Sequence, residues 1–249
     1  MRNRIASLVA AGVLATALGS APVWATTWGE TEVDDPIVKD AKCTVGSPGS
    51  YGSYIYGWPS KYDQIFWPVT EESGIWFCPE SGFTAFLGDF DGIDDAQRTS
   101  IAAYLATSYT RHEAPSHRKE LELLEGCYAL RATSPKQSLR MLRALAYQYE
   151  ALGDQAAADS RRRTALALIL AALDTELKQA QRLEYLFVAA AYQREFGQVK
   201  ASDASLRQLR AQLKKSRDEE LGDYVKYLRE LIADIPRIEP GGRLAPDKS

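Results

Sequence analysis

From Asp94 to Ile232 the apolar residues recur three and four positions apart, interrupted only by isolated Gly and Pro residues and short polar stretches. A chain with that period folds as a series of amphipathic helices. Asp94 and Gln97 stand at capping-box spacing ahead of Ile101, Tyr104, Leu105 and Tyr109. Pro115 then closes the first helix, Ser116 caps a second that turns Leu121, Leu124 and Tyr128 inward, and Pro135 opens a third. In the third, Leu142, Leu145, Ala146, Tyr149 and Leu152 share a face as far as Gly153-Asp154, and Ala156 to Leu177 returns alongside it. Leu183, Leu186, Phe187, Ala190 and Phe196 form the next helix, which stops at Gly197 before Leu206, Leu209 and Leu213. A last helix carries Leu221, Tyr224, Val225, Leu228 and Ile232.

Ahead of Asp94 the punctuation is different. Twelve of the 25 aromatic residues lie between Tyr51 and Phe90, among five glycines. Tyr54-Ile55-Tyr56, Ile65-Phe66-Trp67 and Ile75-Trp76-Phe77, each bounded by Gly or Pro, read as short strands. The expected fold class is therefore α+β, mostly α: a small, aromatic-rich, irregular β head followed by antiparallel helical hairpins.

The N-terminus reads as an address. Arg2 and Arg4 precede an uncharged run from Ile5 to Leu18, and Val23-Trp24-Ala25 offers small residues where a signal peptidase cuts, so cleavage is expected after Ala25. An uncleaved anchor shares this pattern, but no other stretch approaches a membrane span. The predicted organisation is a signal peptide at 1–25, a linker at 26–40, the head at 41–93, the helical domain at 94–235 and a flexible tail at 236–249. A net charge of -3 gives no basic field for a nucleic-acid backbone.

Two local patterns resemble known families. Leu142, Leu145, Ala146 and Tyr149, with Gly153 at the turn and Ala158 beyond it, fall on the spacing of a tetratricopeptide repeat. A second copy built on Leu186, Ala189, Ala190 and Gly197 has Gln193 in place of Tyr and Ser202 in place of Ala. Its turn glycine follows the first by 44 residues, against about 34 in a regular array. In the head, Cys43-Thr44-Val45-Gly46 and Cys78-Pro79-Glu80-Ser81 look like Cys-x-x-Cys knuckles that have each lost their second thiol. With Trp76-Phe77-Cys78-Pro79 running into Gly82-Phe83, and with the helices that follow, the chain resembles an uncharacterised bacterial family in which a split Cys-x-x-Cys head precedes repeat-like helices. The resemblance covers roughly residues 41–214 and implies an architecture without an activity.

That resemblance also implies how the cysteines are used. Two thiolates are too few for a closed zinc site, so no bound metal and no cofactor are expected in this chain. Ancestral knuckles that shared an ion hold their remaining thiols close together. In an oxidising compartment Cys43 and Cys78 would then form a disulfide. Cys127 is left over, either as a buried thiol or as a link between chains.

Catalytic signatures miss by a residue. His112 and His117 are five apart with Pro115 between them, where a helical metalloprotease pair needs four. Ser116 and Lys119 have Ser-x-x-Lys spacing without its partner motifs, and Ser116 reads as a helix cap. Asp89, Asp91, Asp94 and Asp95 depart from a calcium loop, and Arg161 to Arg163 read as a solvated helix face. The preferred reading is a non-catalytic, exported interaction protein of the cell envelope with a protein or peptide partner. Its groove would use Gln148, Tyr149, Gln193 and Arg194. A carbohydrate platform of Tyr54, Tyr56, Trp58, Tyr62 and Trp67 is the second reading, and an enzyme with an unfamiliar site the third.

Overall fold

A computed structural model describes residues 28–49, 62–112, 114–216 and 221–241. The expected signal peptide, Tyr54, Tyr56 and Trp58 lie outside the described residues. Strands β1 (Trp28–Asp34) and β2 (Lys42–Pro48) form one antiparallel ladder, and β3 (Ile75–Phe77) and β4 (Thr84–Phe86) form another. Among the described residues seven α-helices follow: α1 (Asp95–Ser108), α2 (His117–Ala129), α3 (Pro135–Ala151), α4 (Gln155–Leu173), α5 (Gln179–Glu195), α6 (Val199–Lys215) and α7 (Gly222–Leu231). The fold is α+β, mostly α.

Local chemistry sets the helix ends. Asp94 and Ser134 each close a full capping box, with Gln97 and Gln137, and Ser116 accepts from the Lys119 amide. These contacts satisfy amides that a helix N-terminus otherwise leaves bare. Gly153 and Gly197 turn α3 into α4 and α5 into α6 with φ of 76° and 72°, the left-handed conformation that favours glycine. The second hairpin compensates for its departures from the repeat pattern. Ser202 Oγ donates to the Ala190 carbonyl at 2.7 Å, and Ser205 Oγ donates to Gln193 Oε1 at 2.8 Å, so both unusual polar residues find partners inside the helix pair.

In the head, the sulfurs of Cys43 on β2 and Cys78 after β3 lie at disulfide distance, with their Cα atoms 5.0 Å apart. Trp76 Nε1 ties the two ladders a second time by donating to the Gly46 carbonyl at 2.7 Å. The turn between β3 and β4 brings Gly82 N to the Cys78 carbonyl and Cys78 N to the Phe83 carbonyl. Gly82 has φ of 78°, and a Cβ there would sit 2.4 Å from the Tyr109 ring, so this close approach excludes any side chain.

Three segments differ from the sequence reading. Residues assigned to a linker at 26–40 contain β1, because Trp28–Asp34 is needed to pair β2 in a register that sets Val33 opposite Cys43. Ile65-Phe66-Trp67 is turn and coil, since residues 62–70 pack into the helices instead of pairing with another strand. The segment from residue 236 begins ordered, with Ile238 buried and Gly241 N donating to the Glu195 carbonyl at 2.7 Å.

Two apolar clusters make up the core. One joins the head to α1, α2 and the Leu145–Tyr149 face of α3. The other joins α4 to α7 and takes in Tyr62 from the head. Gly126 on α2 lets α1 approach, since a Cβ there would collide with the Tyr104 ring.

Candidate functional site

The face that the helical hairpins would offer to a peptide already holds one, residues 62–69 of the same chain. Asp63, which is fully buried, receives Arg162 Nε at 3.1 Å and Nη2 at 3.3 Å from α4, and the Tyr192 hydroxyl from α5 at 2.6 Å. Tyr224 donates to Gln64 Oε1 at 3.0 Å, and Gln148 Nε2 donates to the Val69 carbonyl at 2.8 Å. Turns at 66–71 and the close packing of Gly74 on the Pro68 carbonyl then steer the chain into β3.

Arg162 is the centre of this arrangement. Besides Asp63 it bonds Glu195 at 3.2 Å and makes a close pair with Glu150. Burial alone would favour loss of its proton, but the carboxylates of Asp63 and Glu195 outweigh that and hold the guanidinium charged, above its ordinary range. Neither Arg162 nor Asp63 has any exposed surface, so the network acts as a clasp out of reach of a substrate. The sequence reading of Arg161 to Arg163 as one solvated face is corrected here. Three consecutive residues sweep about 200° around a helix, so they cannot share a face. Arg161 forks onto Glu125 with both distances 2.7 Å, Arg162 is buried, and Arg163 lies over the Phe196 ring.

The other residues singled out from sequence are dispersed. Gln148, Tyr149 and Gln193 are each under 5% exposed. Gln148 grips the head segment, Tyr149 donates to Glu125 Oε2 at 3.2 Å, and Gln193 faces Ser205. Arg194 reaches the opposite way and donates to the carbonyls of Pro236 and Ile238. Among the described residues, Gln148 is the one of the four that holds a segment of the head. Of the aromatic platform, Tyr62 is buried, and Trp67 packs against Trp28 with ring centroids 5.7 Å apart and planes tilted by 50°. Asp89 pairs with Arg131 at 2.9 Å and accepts from the Tyr128 hydroxyl, while Asp94 serves as a cap. His112 faces Glu80 at 3.5 Å, and His117 faces Glu72 and Glu120. The two imidazoles therefore serve separate clusters.

Surface remains open on both flanks of the N-terminal half of α3. One cleft, about 350 Å³, lies between α3 and the head, with Val69, Phe86, Leu87 and Met141 in its walls. The other, about 300 Å³, lies against α5 and α7, with Phe66, Trp67, Tyr185 and Tyr224. Arg140 borders both. Among the described residues, neither exposed Arg140 nor exposed Lys136 forms an ion pair. Arg143, buried behind them, is taken by Glu184 at 2.5 Å. Nothing in the sequence separates Arg140 from the other surface arginines, because its significance depends on residues 66–69 packing beside it.

Among the described residues no helix is long and apolar enough to cross a membrane. No curated protein and no solved structure matches the chain. Residues 59–232, from the occupied inner face through α7, match the family described as an uncharacterized protein conserved in bacteria (DUF2225), and the chain belongs to that family.

Proposed function

We propose that this is an exported, non-catalytic interaction protein of the bacterial cell envelope. Its partner is a protein or peptide that seats apolar side chains in the two clefts beside α3 and an acidic group on Arg140 and Lys136. The observation that carries this reading is the pair of clefts straddling an exposed arginine that has no ion-pair partner among the described residues, next to a face that already holds a segment of the same chain. Apolar clefts contribute affinity and a rim cation contributes orientation and partner choice. The Cys43–Cys78 pair supports export, since such bonds persist in oxidising compartments.

The test places a photo-crosslinking residue at Met141, in the cleft, or at Leu168, on the exposed side of α4, in cells carrying the full chain. Discrete protein adducts are expected from position 141 and are expected to fade in R140E, with none from position 168. Equal labelling at both positions, or adducts indifferent to R140E, would reject the docking site. Cell fractionation and N-terminal sequencing test export separately, with a mature chain expected to begin at Thr26.

A further inference from the structure

Glu72, His117 and Glu120 converge where the head meets α2. Glu72 comes from the short 3₁₀ turn (Glu72–Gly74) before β3, His117 is the first residue of α2, and Glu120 lies one turn further along the same helix. His117 Nδ1 is 3.2 Å from Glu120 Oε2 and 3.6 Å from Glu72 Oε1, and one ligand atom from each residue lies within 4.8 Å of the others. Bonds of about 2.0–2.2 Å to a tetrahedral ion separate neighbouring ligand atoms by about 3.3–3.6 Å, so both separations from Nδ1 are close to tetrahedron edges.

The far side of the ring fixes the form in which it meets these carboxylates. Gln148 must point its amide nitrogen at the Val69 carbonyl, which can only accept, and this aims its Oε1 at His117 Nε2, 3.1 Å away. Nε2 therefore carries hydrogen, and Nδ1 faces the two carboxylates, where its hydrogen bond with Glu120 holds the imidazole above its ordinary range. Such an arrangement calls for a cation at the centre. A proton on Nδ1 can point at one carboxylate only, whereas a metal ion engages all three groups. Orientation of a ligand imidazole by a buried acceptor is the usual support of a metal site. An imidazole with two carboxylates suits zinc and its neighbours better than calcium, which takes six to eight oxygens.

We propose that Glu72, His117 and Glu120 bind one divalent transition-metal ion of the zinc class, with Gln148 as the positioning residue and the fourth coordination position open to solvent. Three exposed or half-buried ligands from two parts of the chain make this a reversible site that braces the head against α2. It is separate from the cysteine knuckles and from the clefts beside α3.

The test uses the full, oxidised chain, stripped with a chelator and titrated with Zn²⁺ in a calorimeter. One ion per chain is expected, with an imidazole and oxygen signature in the X-ray absorption spectrum. The melting temperature should rise by about 5 °C at a hundredfold excess over Kd. H117Q and E120Q should each weaken binding at least tenfold, and Q148L by about tenfold or more, while H112Q leaves it unchanged. Far-UV circular dichroism shows whether Q148L folds, and H117Q and E120Q alone decide the matter if it does not. The proposal is overturned by the absence of saturable binding, by sulfur in the absorption signature, or by affinity that survives H117Q.

Discussion

The Arg162 guanidinium and the Asp63 carboxylate meet fork to fork, at 3.1 and 3.3 Å, across 99 residues of chain and with no exposed surface on either side chain. Removing Asp63 takes one of three carboxylates from the buried Arg162 guanidinium, and losing one member of a buried charge network is far costlier than the network is worth as a net gain. D63A should therefore lower the unfolding free energy by about 3–5 kcal/mol. R162K, which keeps the charge but loses the planar fork, should also destabilise. Urea unfolding curves for both variants test this, and a midpoint for D63A within error of the wild type would refute it.

Closing the 35-residue span between Cys43 and Cys78 restricts the unfolded chain. On the chain-entropy account the bond contributes about 3–4 kcal/mol. Thermal melts with and without reductant should separate accordingly, and the C43A/C78A double variant should melt with the reduced protein in either buffer.

Gly82 and Tyr109 give a steric prediction. G82A forces a side chain onto a positive-φ backbone, costing about 1–3 kcal/mol, and also drives a methyl group into the Tyr109 ring. In a Y109A background the ring collision is gone, leaving the backbone part and a 2.8 Å approach to the remaining Cβ of residue 109, so a double-mutant cycle should show coupling between the two sites. Strict additivity in denaturation would contradict the packing described.

Cys127 is fully buried, and burial pushes its thiol from 9.0 up to about 11. It should resist a thiol reagent at neutral pH in the native protein and react at once in denaturant. Because the folded pKa lies above the unfolded one, the unfolded chain releases the proton first, and stability falls as pH rises from about 9 towards 11. Half-buried Tyr227, raised by desolvation to about 12, adds to the alkaline loss at the upper end. C127A should flatten the lower part of that decline, measured as unfolding free energy against pH.

How much of this was legible in the sequence depends on the range of the interaction. Asp94, Ser116, Gly153 and Gly197 mark helix ends because a cap acts within four residues of itself, and all four stand where the chain turns. The Cys43–Cys78 pair was legible through a degraded motif. What escaped is long-range. Arg162 looked like one of three solvated arginines until the helix turned it towards Asp63, and the occupant of the hairpin face was read as a strand. Glu72 lies 45 residues before His117, and no spacing rule links them. Gln148 was singled out for a groove, and the structure gives it a different task, gripping Val69 with one end of its amide and His117 with the other.

Residues 62–69 have an evolutionary consequence as well. A repeat array can ordinarily lengthen or shorten by whole units, because each unit meets only its neighbours. Here a strap from upstream touches α3, α4, α5 and α7 together, so an inserted or deleted hairpin would strand Asp63 or Arg162 in an apolar interior. The strap thus ties the number of helices to the place of one buried ion pair, a constraint that the clefts and rim charges do not share.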